Sequence, residues 1–310
     1  MHVAVYGAGA LGCVYGVRLA MRTGTTVSFV VRPRRVSERA PFVIARVGER
    51  TTESIEEPRR TSEIPSDADL VLLAVGTEDL EAIRPTLAAS AVPIVVLTPM
   101  MPSEWRAMRD AFGDRVLAAM PDVVSYVNDE GIVRYWLAPA PTRIDEPRAS
   151  SKDADVVRAL ARELTEAGLD GRLELGVHEI NPATTVCFVP LMMGVALAGC
   201  LEALAKDAEL LDLSRRGCRE GAELARRIGR PEPFAPFASL VALDLPMRAL
   251  VRLLGWRSPE ALHYVDVHFG SKLVAQHQRM AAAMVDLAVE KGVPHEALAE
   301  IAQRLASKGM

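Results

Sequence analysis

The chain has 310 residues, enough for two domains of ordinary size, and half of its residues are hydrophobic while a quarter are charged. Its formal net charge of −4 at pH 7 argues against nucleic-acid binding, which normally requires a clustered basic face. The four cysteines are not spaced as metal ligands, and the chain opens on an apolar strand rather than on a signal peptide. We therefore expect a cytoplasmic globular protein with reduced thiols and no metal site.

One uncharged segment resembles a membrane span in length. Residues 183–201 carry no charge, and a spanning helix needs about 20 apolar residues. Threonine, proline and glycine residues dilute this segment, and Glu202 and Lys206 follow it directly. The sequence therefore predicts a buried central helix and no membrane association.

The first third of the chain alternates strands and helices. Residues 2–6 and 27–31 are short apolar runs, and residues 10–21 between them have helical periodicity, which predicts a parallel βαβ unit. Continuous apolar runs at 69–76 and 94–97 flank a predicted helix at 77–89. Such runs are typical of strands that are buried on both faces of a parallel sheet.

The remainder of the chain changes from mixed to helical character. Residues 116–119 and 131–137 predict strands, and residues 154–167 predict a helix that Gly168 ends. From Asn181 onward nearly every segment has a helical pattern, and Asn181 with Pro182 predicts an N-cap and first turn. We therefore expect an α/β domain with a doubly wound parallel sheet over residues 1–176, followed by an all-α domain over residues 177–310.

A glycine-rich loop follows the first strand. The segment Gly7–Gly12 has the pattern G-x-G-x-x-G, and it opens a helix that leads to a second strand, which is the context that dinucleotide binding requires. Its glycines permit a tight turn, close approach of a pyrophosphate and close packing of helix on strand. The predicted cofactor contacts in this Rossmann-like domain are Gly7, Gly9, Ala10, Leu11 and Gly12.

An arginine occupies the position that selects between the two nicotinamide dinucleotides. Enzymes that use NAD place Asp or Glu about 20 residues after the glycine motif, where it binds the ribose 2′-hydroxyl. This chain has Arg32 there, with Arg34 and Arg35 behind it. Because a guanidinium pairs well with a phosphate, the sequence predicts NADP as the cofactor. The alternative is a solvated basic turn without a ligand.

These features together resemble the ketopantoate reductase (2-dehydropantoate 2-reductase) family. The resemblance rests on the sequence Gly-Ala-Gly-Ala-Leu-Gly, on the arginine after the second strand and on the order of the two domains. It implies hydride transfer from NADPH to the keto carbon of a small 2-keto acid, bound in a cleft between the domains. It also implies that Val75, Gly76 and Pro99 line the cofactor site.

The catalytic positions of that family do not carry over. The family pattern resembles K-x-x-x-N-x-x-x-N at the start of the central helix, and here Asn181 falls in the lysine position. No lysine lies between Lys152 and Lys206, and the family's late glutamate falls near Gln276. The sequence therefore indicates a divergent member that lacks the catalytic lysine, for which ketopantoate is not the expected substrate.

Another segment offers replacement groups for proton transfer. His268, Lys272 and Gln276 recur every four residues, so they share one face if an α-helix runs through Gly270. We predict Lys272 or His268 as the general acid, with Asn181 and Gln276 orienting the substrate. A polar, solvated helix face is the alternative.

The sequence therefore predicts an NADPH-dependent oxidoreductase that acts on a small, 2-keto acid-like carbonyl substrate. One alternative is a catalytically silent NADP(H)-binding sensor or regulatory protein, and another is an opine-type dehydrogenase. We also expect a homodimer, with the apolar stretch Val186–Cys200 as a candidate interface.

Overall fold

The computed structural model describes residues 1–148 and 153–308. For residues 271 and 272 it describes the backbone but not the side chains. The chain divides into two compact units, Met1–His178 and Glu179–Met310. The domain boundary predicted from the sequence was residue 176. Unit 1 contains the β-structure, and unit 2 is helical.

The described residues of unit 1 form short strands and four helices. Its strands are β1 His2–Tyr6, β2 Thr26–Val30, β3 Phe42–Arg46, β4 Thr52–Ile55, β5 Arg60–Thr61, β6 Leu70–Leu73, β7 Ile94–Val96, β8 Val116–Met120, β9 Val123–Val127, β10 Val133–Leu137, β11 Thr142–Asp145 and β12 Gly171–Glu174. Its helices are α1 Ala10–Ala20, α2 Leu80–Ala88, α3 Pro102–Phe112 and α4 Ala154–Glu166.

The main sheet has the strand order β12-β11-β8-β7-β6-β1-β2-β5. The strands from β5 to β8 in this order are parallel, whereas β11 pairs with β8 in the antiparallel direction. The chain moves outward from β1 to β2 and β5, and then returns to β6 on the other side of β1. The order therefore reverses at β1 and β6, where doubly wound sheets bind ligands at the carboxyl ends of their strands.

The central strands are buried on both faces, as their continuous apolar runs predict. Val3 and Val5 belong to one hydrophobic cluster, whereas Ala4 between them belongs to the cluster on the other face. Leu72 and Leu73, which are neighbours in β6, likewise belong to the clusters on opposite faces of the sheet. This alternation follows from the two-residue period of a strand and confirms the predicted α/β fold class.

A second, smaller sheet was not predicted. It has the order β4-β3-β10-β9, and three of its strands fall where the sequence showed no clear strand pattern. Trp136 of β10 pairs with Val124 of β9 across the antiparallel ladder. β4 is mostly polar and β9 does not alternate regularly, so neither has a period-2 signal, whereas β3 begins with a four-residue apolar run that was not assigned to a strand.

Unit 2 contains a run of helices, the first of which begins in the last residues of unit 1. They are α5 Val177–Ala198, α6 Leu201–Lys206, α7 Ala208–Ile228, α8 Ala238–Val241, α9 Asp244–Arg257, α10 Pro259–Val267, α11 Val274–Lys291 and α12 Glu296–Lys308. As predicted, Ser258 precedes a helix, and Gly292 at φ 63° follows the end of another.

The start of α5 differs from the prediction. The helix begins at Val177, so Asn181 and Pro182 lie inside it rather than at its N-cap. Its first amide groups are capped from outside the helix: the Asp145 carboxylate accepts hydrogen bonds from the backbone N–H of Val177 at 2.7 Å and of His178 at 3.3 Å. A carboxylate at a helix N-terminus satisfies unpaired donors and opposes the helix dipole.

The predicted interface Val186–Cys200 is not available to a second chain. Val186, Cys187, Met193, Val195 and Ala196 have no exposed surface, because α5 is the core helix of unit 2. By length and composition α5 is apolar enough to span a membrane, but 83% of its most apolar window is buried inside the structure. The expected buried central helix is therefore present, and the proposed dimer contact through it is wrong.

Close packing of α5 on α7 explains two glycines. Pro190 has no N–H to donate to the Val186 carbonyl, and Gly221 of α7 lies against that carbonyl so closely that a Cβ there would collide with it. Gly217 packs on the ring of Pro190, where a Cβ would lie 3.0 Å from the proline Cβ. The irregular side of α5 is thus covered by a small-residue surface.

A π-helical turn interrupts the helix that was expected to run through Gly270. It spans His268–Lys272 between α10 and α11. A Cβ on Gly270 would collide with the Gly199 carbonyl, and the Asp266 carboxylate accepts a hydrogen bond from the Leu201 N–H at 2.7 Å. The turn is therefore anchored on the junction of α5 and α6.

Candidate functional site

The glycine loop lies at the carboxyl end of β1, beside the loop that follows β6. Gly7 has φ 103°, a conformation that disfavours side chains, and its N–H donates to the Val30 carbonyl at 3.2 Å. A Cβ on Gly7 would lie 2.6 Å from the Ala74 carbonyl oxygen, and one on Gly12 would collide with the Gly7 carbonyl. These two glycines are thus required by the protein itself.

Gly9 has no such requirement from the protein. A Cβ built on it meets no protein atom within 4 Å, and its φ of −80° is accessible to any residue. It is the N-cap of α1, and the first intrahelical bond runs from the Cys13 N–H to its carbonyl at 2.9 Å. One side of Gly9 therefore faces open space beside the backbone.

The N-terminus of α1 has the properties of an anion site. No side chain caps it, and its first turn, which includes Ala10 and Leu11, contains no acidic residue. The N–H groups of a first helical turn have no intrahelical acceptor, and the helix dipole favours negative charge there. These features fit the pyrophosphate of a dinucleotide.

Loops that follow β6 and β7 continue this edge of the sheet. A Cβ on Gly7 would lie 2.8 Å from a Val75 methyl carbon, and the Thr98 hydroxyl donates to the Val75 carbonyl. Gly76 precedes a 3₁₀ turn at Thr77–Asp79, and Pro99 follows Thr98. The structure thus brings Gly7 and Val75 together, and it positions Gly76 and Pro99 one residue beyond these contacts.

Arg32 follows β2 and is the predicted recognition residue for a 2′-phosphate. Its side chain is 67% exposed, and its guanidinium lies 3.6 Å from the Asp79 carboxylate. Arg34, in the next turn of chain, is exposed and forms no ion pair within the described residues. Asp79 was not identified from the sequence, because it belongs to the turn after β6 and is far from Arg32 along the chain.

Arg60 of β5 fixes the loop behind Arg32. Its guanidinium donates to the carbonyls of Glu38 at 2.7 Å and Ala40 at 2.5 Å, and it lies 4.4 Å from the centre of the Phe42 ring. Arg35 pairs with the Glu38 carboxylate at 2.9 Å. Arg35 is therefore paired within its own turn at 2.9 Å, whereas Arg32 has a longer ion pair with Asp79 at 3.6 Å and Arg34 has no ion pair with a described residue.

Cys13 lies in α1 just behind the glycine loop. It is buried, its thiol is 3.6 Å from the Ala8 carbonyl oxygen, and burial raises its pKa to about 12. Since the thiolate is the reactive form, this cysteine is a packing residue. Burial likewise raises the pKa of Cys187 to about 11 and of Cys218 to about 12.

In unit 2 the π-helical turn carries a cluster of aromatic rings. His268 stacks on Tyr264 with ring centres 4.8 Å apart, and it meets Phe269 edge-on at 4.9 Å. Phe269 stacks in turn on His277 at 6.1 Å. Turns of this type often occur at functional sites, and here the His268 imidazole packs against two aromatic rings.

His277 was not selected from the sequence. Only 3% of it is exposed, its Nδ1 atom has no hydrogen-bond partner among the described residues, and burial lowers its pKa to about 4. The imidazole is therefore neutral at pH 7. A histidine on an apolar helix face gives no sequence signal that separates this environment from an ordinary core position.

The other predicted catalytic residues are spread over two helices. Asn181 is 5% exposed inside α5, where its side-chain oxygen accepts a hydrogen bond from the Thr185 hydroxyl at 3.3 Å. Gln276 is half-buried in α11, and the Lys272 side chain lies outside the described residues. The four-residue spacing assumed a regular α-helix, and the π-helical turn removes that basis for a shared face.

His178 has a structural partner in unit 1. Its Nδ1 lies 2.8 Å from the Asp145 carboxylate, and its ring stacks on Trp105 at 5.6 Å. The pocket of about 290 Å³ beside these residues also contains Val116, at the start of β8. Because β8 is parallel to β7 and thus to β1, this pocket lies at the amino ends of the parallel strands, whereas the glycine loop lies at their carboxyl ends.

Among the described residues, no group of three or more metal-binding side chains is assembled.

Comparison with known proteins agrees with this geometry. Residues 3–146 match the family model described as Ketopantoate reductase PanE/ApbA. Comparison with curated proteins gives no match. Among solved structures, the chain is similar to a 2-dehydropantoate 2-reductase from Geobacter metallireducens GS-15, with a TM-score of 0.70 and 17% identity over 99% of this chain and 100% of that one.

Two further structures share the fold. One is D-mandelate dehydrogenase in a ternary structure with NADH and anilino(oxo)acetate, with a TM-score of 0.73 and 15% identity over 99% of this chain and 98% of that one. Another is a ketopantoate reductase from Staphylococcus aureus described as dimeric, with a TM-score of 0.66 and 16% identity over 99% and 98% of the two chains. The chain is therefore similar to the ketopantoate reductase PanE/ApbA family over residues 3–146, and it shares the fold of these solved structures over nearly its whole length.

Proposed function

We propose that this chain is an NADP(H)-dependent oxidoreductase that transfers a hydride between the nicotinamide and a small 2-keto acid or 2-hydroxy acid. The observation that carries the proposal is the open side of Gly9 at an uncapped helix N-terminus. The protein does not need glycine at this position, and a pyrophosphate on the α1 amide groups does. The family match supports the same reaction class.

The residues of unit 1 have distinct roles in binding. The first-turn amide groups of α1 bind the pyrophosphate, and Gly7 and Gly12 hold the turn that presents them. Arg32 and Arg34 bind the 2′-phosphate, because charged hydrogen bonds to phosphate are stronger than neutral ones. The bound dinucleotide supplies the hydride.

Residues of unit 2 supply the proton and orient the substrate in this proposal. Reduction of a carbonyl needs a proton donor at the oxygen that becomes the hydroxyl. Lys272 and His268 are the proposed donors, with Asn181 and Gln276 as orienting residues. Since His277 is neutral at pH 7 and its ring packs on Phe269, it supports the cluster rather than donating the proton.

The substrate class follows from two observations. In the register predicted from the sequence, Asn181 falls in the family's lysine position, and no lysine lies between Lys152 and Lys206, which argues against ketopantoate itself. A structural relative is solved with anilino(oxo)acetate, a 2-keto acid derivative with an aromatic group. We therefore propose a 2-keto acid with an apolar or aromatic side chain, such as phenylglyoxylate.

The test is NADPH oxidation by the purified full chain with a panel of 2-keto acids, aldehydes and imines. We expect turnover with 2-keto acids, and a loss of at least tenfold in kcat for Lys272→Ala or His268→Ala. Glu290→Gln, on an exposed position of α11, is the control. Normal turnover in both variants would show the acid assignment to be wrong. Binding of NADPH without oxidation of any substrate would favour the sensor instead, and activity that requires an amine would favour an opine-type dehydrogenase.

A further inference from the structure

Exposed apolar side chains are concentrated in one part of unit 2. Of fifteen large hydrophobic residues that are exposed in the described part of the chain, eight lie between residues 234 and 256. These are Phe234, Phe237, Leu240, Val241, Leu243, Leu245, Leu253 and Trp256, which we name the α8–α9 surface. Exposure reaches 78% at Leu245 and 81% at Trp256.

Helix α9 is apolar on two opposite faces but buries only one. Met247 is buried and Leu250, Val251 and Leu254 are half-buried, at the spacing of a helix face that packs on its own unit. Leu245, Ala249, Leu253 and Trp256 form a second apolar stripe on the other face, and all four are exposed. An exposed apolar stripe of this kind is normally covered by another surface.

We propose that the α8–α9 surface is a self-interface at which two copies of this chain pair through antiparallel α9 helices. Together the eight side chains expose roughly 800 Å², which is about the area that each partner contributes to a standard stable interface. A two-fold interface needs a patch that is complementary to itself. The proposal is independent of the reaction proposed above.

The sequence of α9 meets this requirement. With Ala249 on the two-fold axis, the short side chain permits close approach of the helices, and Leu245 of one copy faces Leu253 of the other. Trp256, farther from the axis, reaches the α8 residues of the partner copy. The apolar stripe of one copy therefore faces the same stripe of the other copy, which runs in the opposite direction.

The charges beside the stripe are also self-complementary. Asp244 at the start of α9 and Arg252 two turns later lie on the same flank, and the antiparallel arrangement brings Asp244 of one copy near Arg252 of the other. Within one chain Asp244 pairs with Arg248 at 2.6 Å, and Arg252 forms no ion pair with any described residue. Antiparallel packing also aligns the two helix dipoles favourably.

Sedimentation of the full chain at 1–100 μM tests the proposal. We expect a dimer for the wild type and for the control Val289→Glu, which adds the same charge at an exposed apolar position of α11. Leu245→Glu and Trp256→Glu should weaken dimerisation at least 100-fold without unfolding the chain, since both side chains are mostly exposed. A monomeric wild type, or dimers that persist in both variants, would overturn the interface.

A charge exchange tests the antiparallel arrangement specifically. Arg252→Glu should weaken the dimer, and the double variant Asp244→Arg with Arg252→Glu should restore it, because the two positions are too far apart along α9 to pair within one chain. Failure of the double variant to restore dimerisation would reject this arrangement. Binding of the monomer to vesicles of anionic phospholipid, lost in Trp256→Glu, would show that a lipid surface covers α9 instead.

Discussion

At the scale of single residues, the proposed choice of cofactor depends on the ion pair between Arg32 and Asp79. The Arg32 guanidinium is 3.6 Å from the Asp79 carboxylate, which would compete with a bound 2′-phosphate. We predict that Arg32→Ala weakens NADPH binding about tenfold or more and leaves NADH binding nearly unchanged, because a charged hydrogen bond contributes about 1.5–3 kcal/mol. Titration of both dinucleotides measures the ratio of the dissociation constants.

Two variants complete that measurement. Asp79→Asn should strengthen NADPH binding, since it releases Arg32 and removes a charge that repels phosphate. Arg50→Ala, at an exposed arginine in the loop between β3 and β4, is the matched control and should change neither constant. An unchanged ratio in Arg32→Ala would assign the arginine to a solvated turn without a ligand.

The buried imidazole of His277 makes the stability of the protein depend on pH. Its pKa in the folded chain is lowered to about 4 from an ordinary value of 6.5. Because the folded state holds the neutral form, its contribution is complete above pH 6.5 and is lost as the pH falls from 6.5 toward 4. The loss amounts to about 3 kcal/mol below pH 4.

Urea unfolding between pH 7 and pH 4 measures this effect through the change in free energy of unfolding. We predict that His277→Phe, which keeps a ring on Phe269, flattens the pH dependence over this range. His263→Phe, at an exposed position of α10, should leave the dependence as in the wild type. An identical slope for His277→Phe and the wild type would contradict the assignment.

At the scale of elements, contacts between residues distant along the chain override two local sequence patterns. Asn181 and Pro182 have the local pattern of a helix start, but the Asp145 carboxylate, 32 residues earlier in the chain, caps the helix at Val177. The π-helical turn likewise depends on the approach of Gly270 to the Gly199 carbonyl. No local sequence pattern contains either contact.

Sequence periodicity also does not show which apolar helix surfaces are buried. Periodicity identified Val186–Cys200 as apolar, but it did not show that Gly217 and Gly221 of α7 would cover that helix. The α9 stripe of Leu245, Ala249, Leu253 and Trp256 is also apolar, but it is exposed, and α9 as a whole carries more charged residues than α5. Packing between elements decides which apolar helix surface is buried, so the interface predicted from periodicity falls on a helix that is mostly buried inside the chain.

At the scale of the whole molecule, the parts that the sequence predicted are those with local signals. The glycine loop, the strands buried on both faces and the change to helices near residue 176 depend on short-range spacing and composition. The second sheet and the Arg32–Asp79 pair depend on residues that are distant along the chain. The catalytic assignments in unit 2 remain predictions, because the side chain of their main candidate, Lys272, lies outside the described residues.

The central claim is that the glycine loop holds a dinucleotide, and thermal unfolding with and without NADPH tests it most directly. A ligand that binds only the folded state stabilises it, so saturating NADPH should raise the midpoint of unfolding by about 5 °C. Gly9→Val should unfold like the wild type without NADPH, because its added atoms meet no protein atom at the Cβ position, and it should show no shift with NADPH. A full NADPH shift in Gly9→Val, or none in the wild type, would contradict the account.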